Sequence, residues 1–166
     1  MGQEVARKYL AHFIDVNFGT GTASYKRLGR DLEEYNVEAS QSLTTIRNII
    51  GETRIKSSGF EKTGQVDPYY MEYDDALTTK LNELFNTNAT GDACRTTVVD
   101  VLLIPPVTEG GTPTVSWAYK STVYVAVDSQ GGNTDGAQIP FTIHYEGEPE
   151  AVTWNPASNT ITPATP

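Results

Sequence analysis

The segment spanning residues 33–60 constrains the fold most, because it is long and mostly polar. Its first part alternates, which would place Tyr35, Val37 and Ala39 on one face of an extended strand and polar residues on the other. A polar run follows, interrupted by three isoleucines, before extended structure resumes near Ile55. A segment with so little apolar surface cannot form a core of its own. We therefore interpret it as an arm, a strand followed by a long loop, that a partner orders.

The composition indicates one globular domain, 1–166, that is rich in strands. A chain of 166 residues can bury a single core, and its nine Tyr and five Phe favour strands over helices. The formal charge of −9 argues against gripping nucleic acid through its phosphates, although DNA could still pass such a protein. Cys94 is alone, and no apolar leader or membrane-length run is present, so we expect the chain to fold in a cytoplasm.

Alternating or apolar segments predict eight strands besides the arm's beginning. The arm should return as a strand at Ile55–Val66, in which Gly59 and Gly64 indicate a bulge or a close backbone approach. Residues 131–136 read as a loop. The other predicted strands are Lys8–Val16, Tyr25–Gly29, Thr97–Ile104, Trp117–Val127, Gln138–Tyr145 and a terminal hairpin formed by Ala151–Trp154 and Thr160–Thr162.

One helix is predicted, at about residues 74–86. Asp74 or Asp75 can cap its beginning, and apolar residues recur at helical spacing along one face. So short a helix is marginal alone and must dock, most simply over a sheet. The fold predicted is therefore mainly β, a sandwich or partly open barrel with the helix packed on its flank. The residues expected to dock the helix are Leu77, Leu81, Leu84 and Phe85.

No motif in the sequence carries catalytic or metal chemistry. His12 and His144 lie far apart without a second ligand at metal spacing, so both are interpreted as ordinary core or surface histidines. The acids between residues 67 and 75 lack the spacing and fixed glycine of a calcium loop. The glycine-rich segments lack the lysine and following helix of a phosphate loop. We expect no enzyme, no metal and no cofactor.

Two stretches carry a resemblance to a known family. They are Tyr69–Phe85, an aromatic and acidic entry into the helix, and Phe141–Pro149, an alternating strand that ends in Gly-Glu-Pro. Together with the element order and the short terminal hairpin, they resemble the major tail tube proteins of long-tailed bacteriophages. That fold is shared with the tubes of contractile tails and of type VI secretion. The resemblance covers nearly the whole chain, but only as loose patterns.

The resemblance implies an assembly. Six subunits form a ring, rings stack into a hollow tube that conducts the DNA genome, and the arm reaches an adjacent ring. The implied partners are copies of the chain, tape-measure and terminator proteins at the tube ends, and DNA in transit without specific binding. The implied location is the virion tail, assembled in the host bacterial cytoplasm. The tail at residues 163–166 should be extended, with no decoration domain after it.

Residue roles follow from the resemblance together with the pattern. Six copies of a −9 chain give a ring of formal charge −54, and an acidic lumen would repel DNA phosphates. An ordinary solvated outer face explains the same residues equally well. The lumen candidates are Glu34, Asn36, Glu38, Thr142 and Glu146. The candidates for contact with the next ring are Gln41, Ile46, Arg47, Ile49, Ile50 and Arg54.

Two alternatives remain open. The first is a β-sandwich module that binds carbohydrate or acts as an adhesin, with Trp117, Trp154 and the Tyr69-Tyr70 pair as a sugar platform. The mid-chain helix argues against it, and aromatics on alternating strands more often belong to a core. The second is a tail ring protein that does not stack, such as a terminator or connector.

Overall fold

A computed structural model of the protein describes residues 2–29, 32 and 34–162. The predicted tail at 163–166 and the first residue of the arm, Glu33, lie outside the described residues. The described chain is mainly β with one helix, as the sequence predicts. The strands are β1 (Leu10–Asp15), β2 (Tyr25–Leu28), β3 (Val37–Arg47), β4 (Thr53–Val66), β5 (Arg95–Ile104), β6 (Thr114–Val127), β7 (Gly131–Asn133), β8 (Gly136–Gln138), β9 (Phe141–Ala151), β10 (Thr153–Asn155) and β11 (Thr160–Thr162); the helix α1 is Ala76–Asn86.

Seven of these strands form one antiparallel sheet in the order β2-β1-β5-β6-β9-β4-β3. Strands β10 and β11 pair as the predicted terminal hairpin. The prediction of a loop at residues 131–136 is wrong, because β7 and β8 pair as a second small hairpin there. The Asn133–Gly136 turn, in which the Asn133 side chain accepts the Asp135 N–H at 2.9 Å, closes that hairpin.

The helix covers one face of the sheet, which we call the helix face. Leu77, Leu81 and Leu84 are buried there, whereas Phe85 is 40% exposed and does not belong to the buried stripe. The docking prediction is therefore wrong for Phe85; the fourth buried position on the helix is instead Thr78. The sheet residues beneath the helix include Ile14, Val66, Val98, Val123, Val125, Phe141 and Ile143.

The terminal hairpin covers part of the opposite face. Trp154 of β10 lies with its ring centroid 4.6 Å from that of Phe13 and 5.5 Å from that of Tyr25. Val99, Val101, Leu103 and Ala118 complete this second core. Strand β1 thus lies between two cores, and this explains why all of its residues after Leu10 are buried. Beside β9 and the base of the β3–β4 pair, the opposite face is polar: Glu38, Thr63, Gln65, Thr142 and His144 lie on it.

A polar network fixes the beginning of the helix. The side chain of Asp75 accepts the N–H groups of Leu77 and Thr78 as an N-cap, at 3.3 and 3.2 Å. Lys26 Nζ and the Tyr69 hydroxyl also donate to its carboxylate, each at 2.5 Å. Burial alone would raise the pKa of Asp75, but the hydrogen bonds from Lys26, Tyr69 and Thr78 outweigh burial and lower the pKa to about 2.

We expect Asp75 to contribute stability that is lost in acid. A carboxyl whose folded pKa is about 2 and whose ordinary value is 3.8 stabilises the fold above pH 3.8 and loses this contribution as the pH falls toward 2. Asp75→Asn should lower the free energy of unfolding by on the order of 1–2 kcal/mol at pH 7, and the deficit should shrink toward pH 2. Urea titrations at pH 7, 4 and 2.5 measure this. The exposed neighbour Asp74→Asn is the control, and an equal deficit at every pH would contradict the assignment.

Candidate functional site

Strands β3 and β4 leave the sheet together as a two-stranded ribbon. Strand β4 pairs with β9 only from Thr63 to Val66, so that residues 53–62 of β4 pair with β3 alone. The interpretation of Gln41–Arg54 as a loop is wrong, because this stretch is regular hairpin. The two strands satisfy each other's backbone hydrogen bonds, and their β-branched residues favour the extended form, which accounts for the regular pairing of the ribbon.

A tight turn at residues 48–52 closes the ribbon. The Asn48 side-chain oxygen accepts the N–H of Ile50 at 3.2 Å and that of Glu52 at 2.9 Å, while Gly51 adopts a φ of +86°. This Asx-type turn followed by a left-handed glycine is a sequence signal for a hairpin. The signal was available in Asn48 and Gly51, between flanking Thr and Ile residues.

The two glycines of β4 have the roles that the sequence predicts for them. The pairing with β3 shifts by one residue between Gln41 and Ser42, where Gly59 is the extra residue and adopts a φ of +74°. Farther along, the ring of Tyr35 lies against Gly64, and a Cβ on Gly64 would overlap the Tyr35 hydroxyl. The bulge and the close approach are thus both confirmed.

The bulge gathers three large apolar side chains onto one face of the ribbon. Leu43 pairs with Ser57 and Phe60 pairs with Gln41, and residues directly opposite each other share a face. Side chains alternate along β3, so Leu43 lies on the same face as the β3 residues that pair with Ile55 and Phe60. Leu43, Ile55 and Phe60 therefore share one face of the ribbon, although two of their residue numbers are odd and one is even. They are 63%, 67% and 59% exposed. We call these three residues the apolar stripe. None of the three is among the residues that the sequence predicts to contact the next ring.

The residues predicted to contact the next ring are all exposed on this ribbon, but they do not form one surface. Ile46 pairs with Arg54 on the face opposite the apolar stripe, and Arg47 pairs with Thr53 on the stripe's own face. Ile49 and Ile50 lie in the turn, and Gln41 lies opposite Phe60 near the base. Their contact with a neighbouring subunit stays a prediction.

Four of the five lumen candidates line one polar groove beside the ribbon's base. Glu34, Asn36, Glu38 and Thr142 surround a groove of about 540 Å³, together with Thr63, Gln65, Asp67, Asp128, Ser129 and Pro140. Asn36 Nδ2 donates to Glu34 Oε1 at 2.5 Å, and Thr142 Oγ1 donates to Asp128 Oδ2 at 2.9 Å. Four carboxylates and no lysine or arginine line the groove in the described part of the chain.

The fifth candidate, Glu146, lies outside that groove. It is exposed on β9 and accepts a hydrogen bond from Arg95 Nε at 3.1 Å, which offsets its charge. Arg95 also pairs with Asp92. The grouping of Glu146 with the other lumen candidates therefore does not hold for the groove itself.

The two histidines have the ordinary environments that the sequence indicates. His12 is buried, and its Nδ1 lies 2.5 Å from Asp100 Oδ1, to which the Tyr145 hydroxyl donates at 3.3 Å. His144 is exposed on β9. Among residues 2–29, 32 and 34–162, no three His, Cys, Asp or Glu side chains come together as a metal site would require.

No family model matches the chain, and no curated protein matches it. Within the described residues, none of the helices has the length and apolar character that crossing a membrane requires.

Proposed function

We propose that this chain is a structural subunit that assembles with copies of itself into stacked, hexameric rings, which form the hollow tail tube of a long-tailed bacteriophage. The observation that carries the proposal is the ribbon of β3 and β4, which leaves the sheet with its large apolar side chains uncovered. A structural subunit needs such a surface, whereas an isolated protein gains nothing from it.

The energetics of the ribbon favour a partner. A two-stranded hairpin without a core is marginal in water. Thirteen large apolar side chains are exposed in the described residues, and six of them lie on this ribbon. Burying one such side chain contributes roughly 1.5–3 kcal/mol, so packing on a neighbour would repay the ordering cost. The six are Leu43, Ile46, Ile49, Ile50, Ile55 and Phe60.

The open edges of the sheet support ring formation. Strands β2 and β3 are the two edges, and each pairs with one neighbour only in the described part of the chain. Unpaired edge strands invite pairing with another chain, and closing a ring of subunits removes them. A chain with two free edges can use one edge for each neighbour in the ring.

The acidic groove supports a passage for DNA. Glu34, Glu38, Asp67 and Asp128 present four carboxylates on one side of the sheet, without a basic residue among the groove's described lining. Repeated around a ring, such a surface repels phosphates and leaves DNA free to slide. We assign the groove to the lumen on this ground, and exclude Glu146 because Arg95 offsets its charge.

The carbohydrate alternative has weaker support. Trp154 is buried against Phe13, and Tyr69 is bound to Asp75, so two of the four aromatics required for a sugar platform are engaged in the fold. Trp117 is exposed, but it lies near the beginning of β6. A ring that does not stack shares every feature described above, and assembly experiments separate it from a tube.

Electron microscopy of the purified full chain tests the proposal. We expect hollow tubes with a regular axial repeat at high protein concentration. Single closed rings would indicate the non-stacking alternative instead. A monomer at every concentration and ionic strength would overturn the proposed function.

A further inference from the structure

Apart from the ribbon, one other part of the molecule concentrates exposed apolar side chains. Among the described residues, ten of the thirteen large apolar side chains that are exposed lie either on the ribbon or where β5 ends and β6 begins. We define the second surface, the aromatic patch, as Ile104, Trp117 and Tyr119, with the half-buried Leu102 between them; Val107 lies in the adjoining loop. The rings of Trp117 and Tyr119 are 5.7 Å apart.

The patch belongs to the helix face of the sheet but lies beyond the helix. Trp117 and Tyr119 are an even number of residues from Val123 and Val125 along β6, so all four side chains lie on the same face of the sheet. The two valines are buried in the core beneath the helix. Leu102 lies directly opposite Trp117 in the same sheet. Polar residues, His12, Asp100 and Ser121, separate the patch from the core beneath the helix on this face. The patch is therefore a separate apolar surface, and its two rings remain about 40% exposed in the described chain.

The geometry points to a specific pairing: we propose that the apolar stripe of one copy packs on the aromatic patch of another copy. This inference rests on the proposed function, because it names the surface that receives the ribbon. Both surfaces are exposed in the single chain, so neither covers the other within it. Leu43, Ile55 and Phe60 supply aliphatic and aromatic groups that match a surface of indole and phenol rings.

Charge complementarity selects a second copy as the occupant. Residues 41–60 carry three basic side chains and one acidic side chain, a net charge of +2, within a chain of −9, so the remainder carries −11. Outside the ribbon acidic residues dominate: Glu109 in the loop after β5 and Glu148 of β9 are exposed, whereas Glu150 lies opposite Lys120 on the other face of the sheet from Tyr119. A basic ribbon on an acidic chain finds its best match on another molecule of that chain.

The stripe and the patch are different surfaces, so their pairing is able to propagate head-to-tail instead of closing reciprocally between two copies. A heterologous contact leaves one stripe and one patch free after each addition. Repetition of the contact then gives either a closed ring or an open helix, whereas a symmetric contact would end at a dimer. The pairing thus provides the kind of contact that a tube requires.

Thiol cross-linking between copies tests this pairing. In a Cys94→Ala background, Ile55→Cys and Trp117→Cys chains are prepared separately, mixed under assembly conditions and treated with a short bis-maleimide. We expect cross-linked dimers in the mixture and far fewer with either chain alone. Tyr73→Cys, exposed but on neither surface, replaces Trp117→Cys as the control.

The outcomes separate this inference from the proposed function. Tubes without the Ile55–Trp117 cross-link, or with equal cross-linking to Tyr73→Cys, would overturn the pairing and leave the tube proposal standing. Cross-linked chains that never form tubes would support the pairing and overturn the tube. A protein that stays monomeric would overturn both.

A second variant checks the pairing without cross-linking. Trp117→Ser with Tyr119→Ser should raise the protein concentration needed for assembly about tenfold or more, because aromatic anchors dominate interfaces. Tyr73→Ser should leave that concentration unchanged. Circular dichroism and thermal unfolding verify that the double variant is folded. An unchanged concentration in a folded double variant would contradict the pairing.

Discussion

Replacing residues 44–56 with Asn-Gly should give a subunit that folds normally and no longer assembles. Leu43 and Ser57 lie opposite each other, so a two-residue hairpin turn can join them without disturbing the remaining pairs. The removed residues make no contact with either core. We therefore expect little change in the melting temperature, while tubes and rings disappear. Sedimentation velocity and electron microscopy of the shortened chain measure the loss.

A second ribbon variant and a control variant outside the ribbon show which property of the ribbon matters. Changing Ile46, Ile49, Ile50 and Ile55 to Ser keeps the full length and removes apolar surface; assembly should be lost here as well. Changing Tyr73 and Phe85 to Ser removes two exposed aromatics outside the ribbon and should leave assembly intact. Tubes of normal appearance from the shortened chain would contradict the role given to the ribbon.

Reversing the charge of the groove should make assembled tubes retain DNA. Changing Glu34, Glu38 and Asp128 to Lys turns the four acids of the groove into three cations and one acid. Within a ring the change is repeated in every subunit, so phosphates meet a basic wall. We expect at least about tenfold more short duplex DNA to sediment with the variant tubes, with a steep decrease as salt is raised.

A matched variant separates the position of the charge from its amount. Changing Glu4, Asp74 and Glu83 to Lys gives the same net charge of −3 with all three changes at exposed positions outside the groove. DNA held by the groove variant should resist added nuclease, because it lies inside the tube. DNA that is digested as readily as with the control would show that the groove faces outward.

The helix and most strands could be predicted because local signals agree with the final packing. Asp75 precedes leucines at helical spacing, and the same residue caps the helix in the structure. The alternation of Ile139, Phe141, Ile143 and Tyr145 places these side chains toward the helix-face core, as they are found. In these segments the spacing of apolar residues along the sequence directly indicates which side chains are buried.

The ribbon and its apolar stripe were harder to predict, because their pattern does not follow a single period. Leu43 and Phe60 lie on opposite parities of the chain, and only the pairing of β3 with β4 shows that they share a face. Phe85 fits the helical spacing, but the sheet does not cover it fully and it stays 40% exposed. The groove likewise unites residues of β3, β4 and β9, and strand order cannot be read from any one segment.

The extra residue at Gly59 determines which side chains of the ribbon share a face. Side chains alternate with a period of two, so deleting that one residue would turn everything from Ile55 to Ser58 over relative to Phe60. The chain would keep the same composition of contact residues but would present them to opposite sides. An insertion or deletion of one residue near this glycine therefore changes which side chains share a face, and under the proposed function we expect it to change the twist of the assembly.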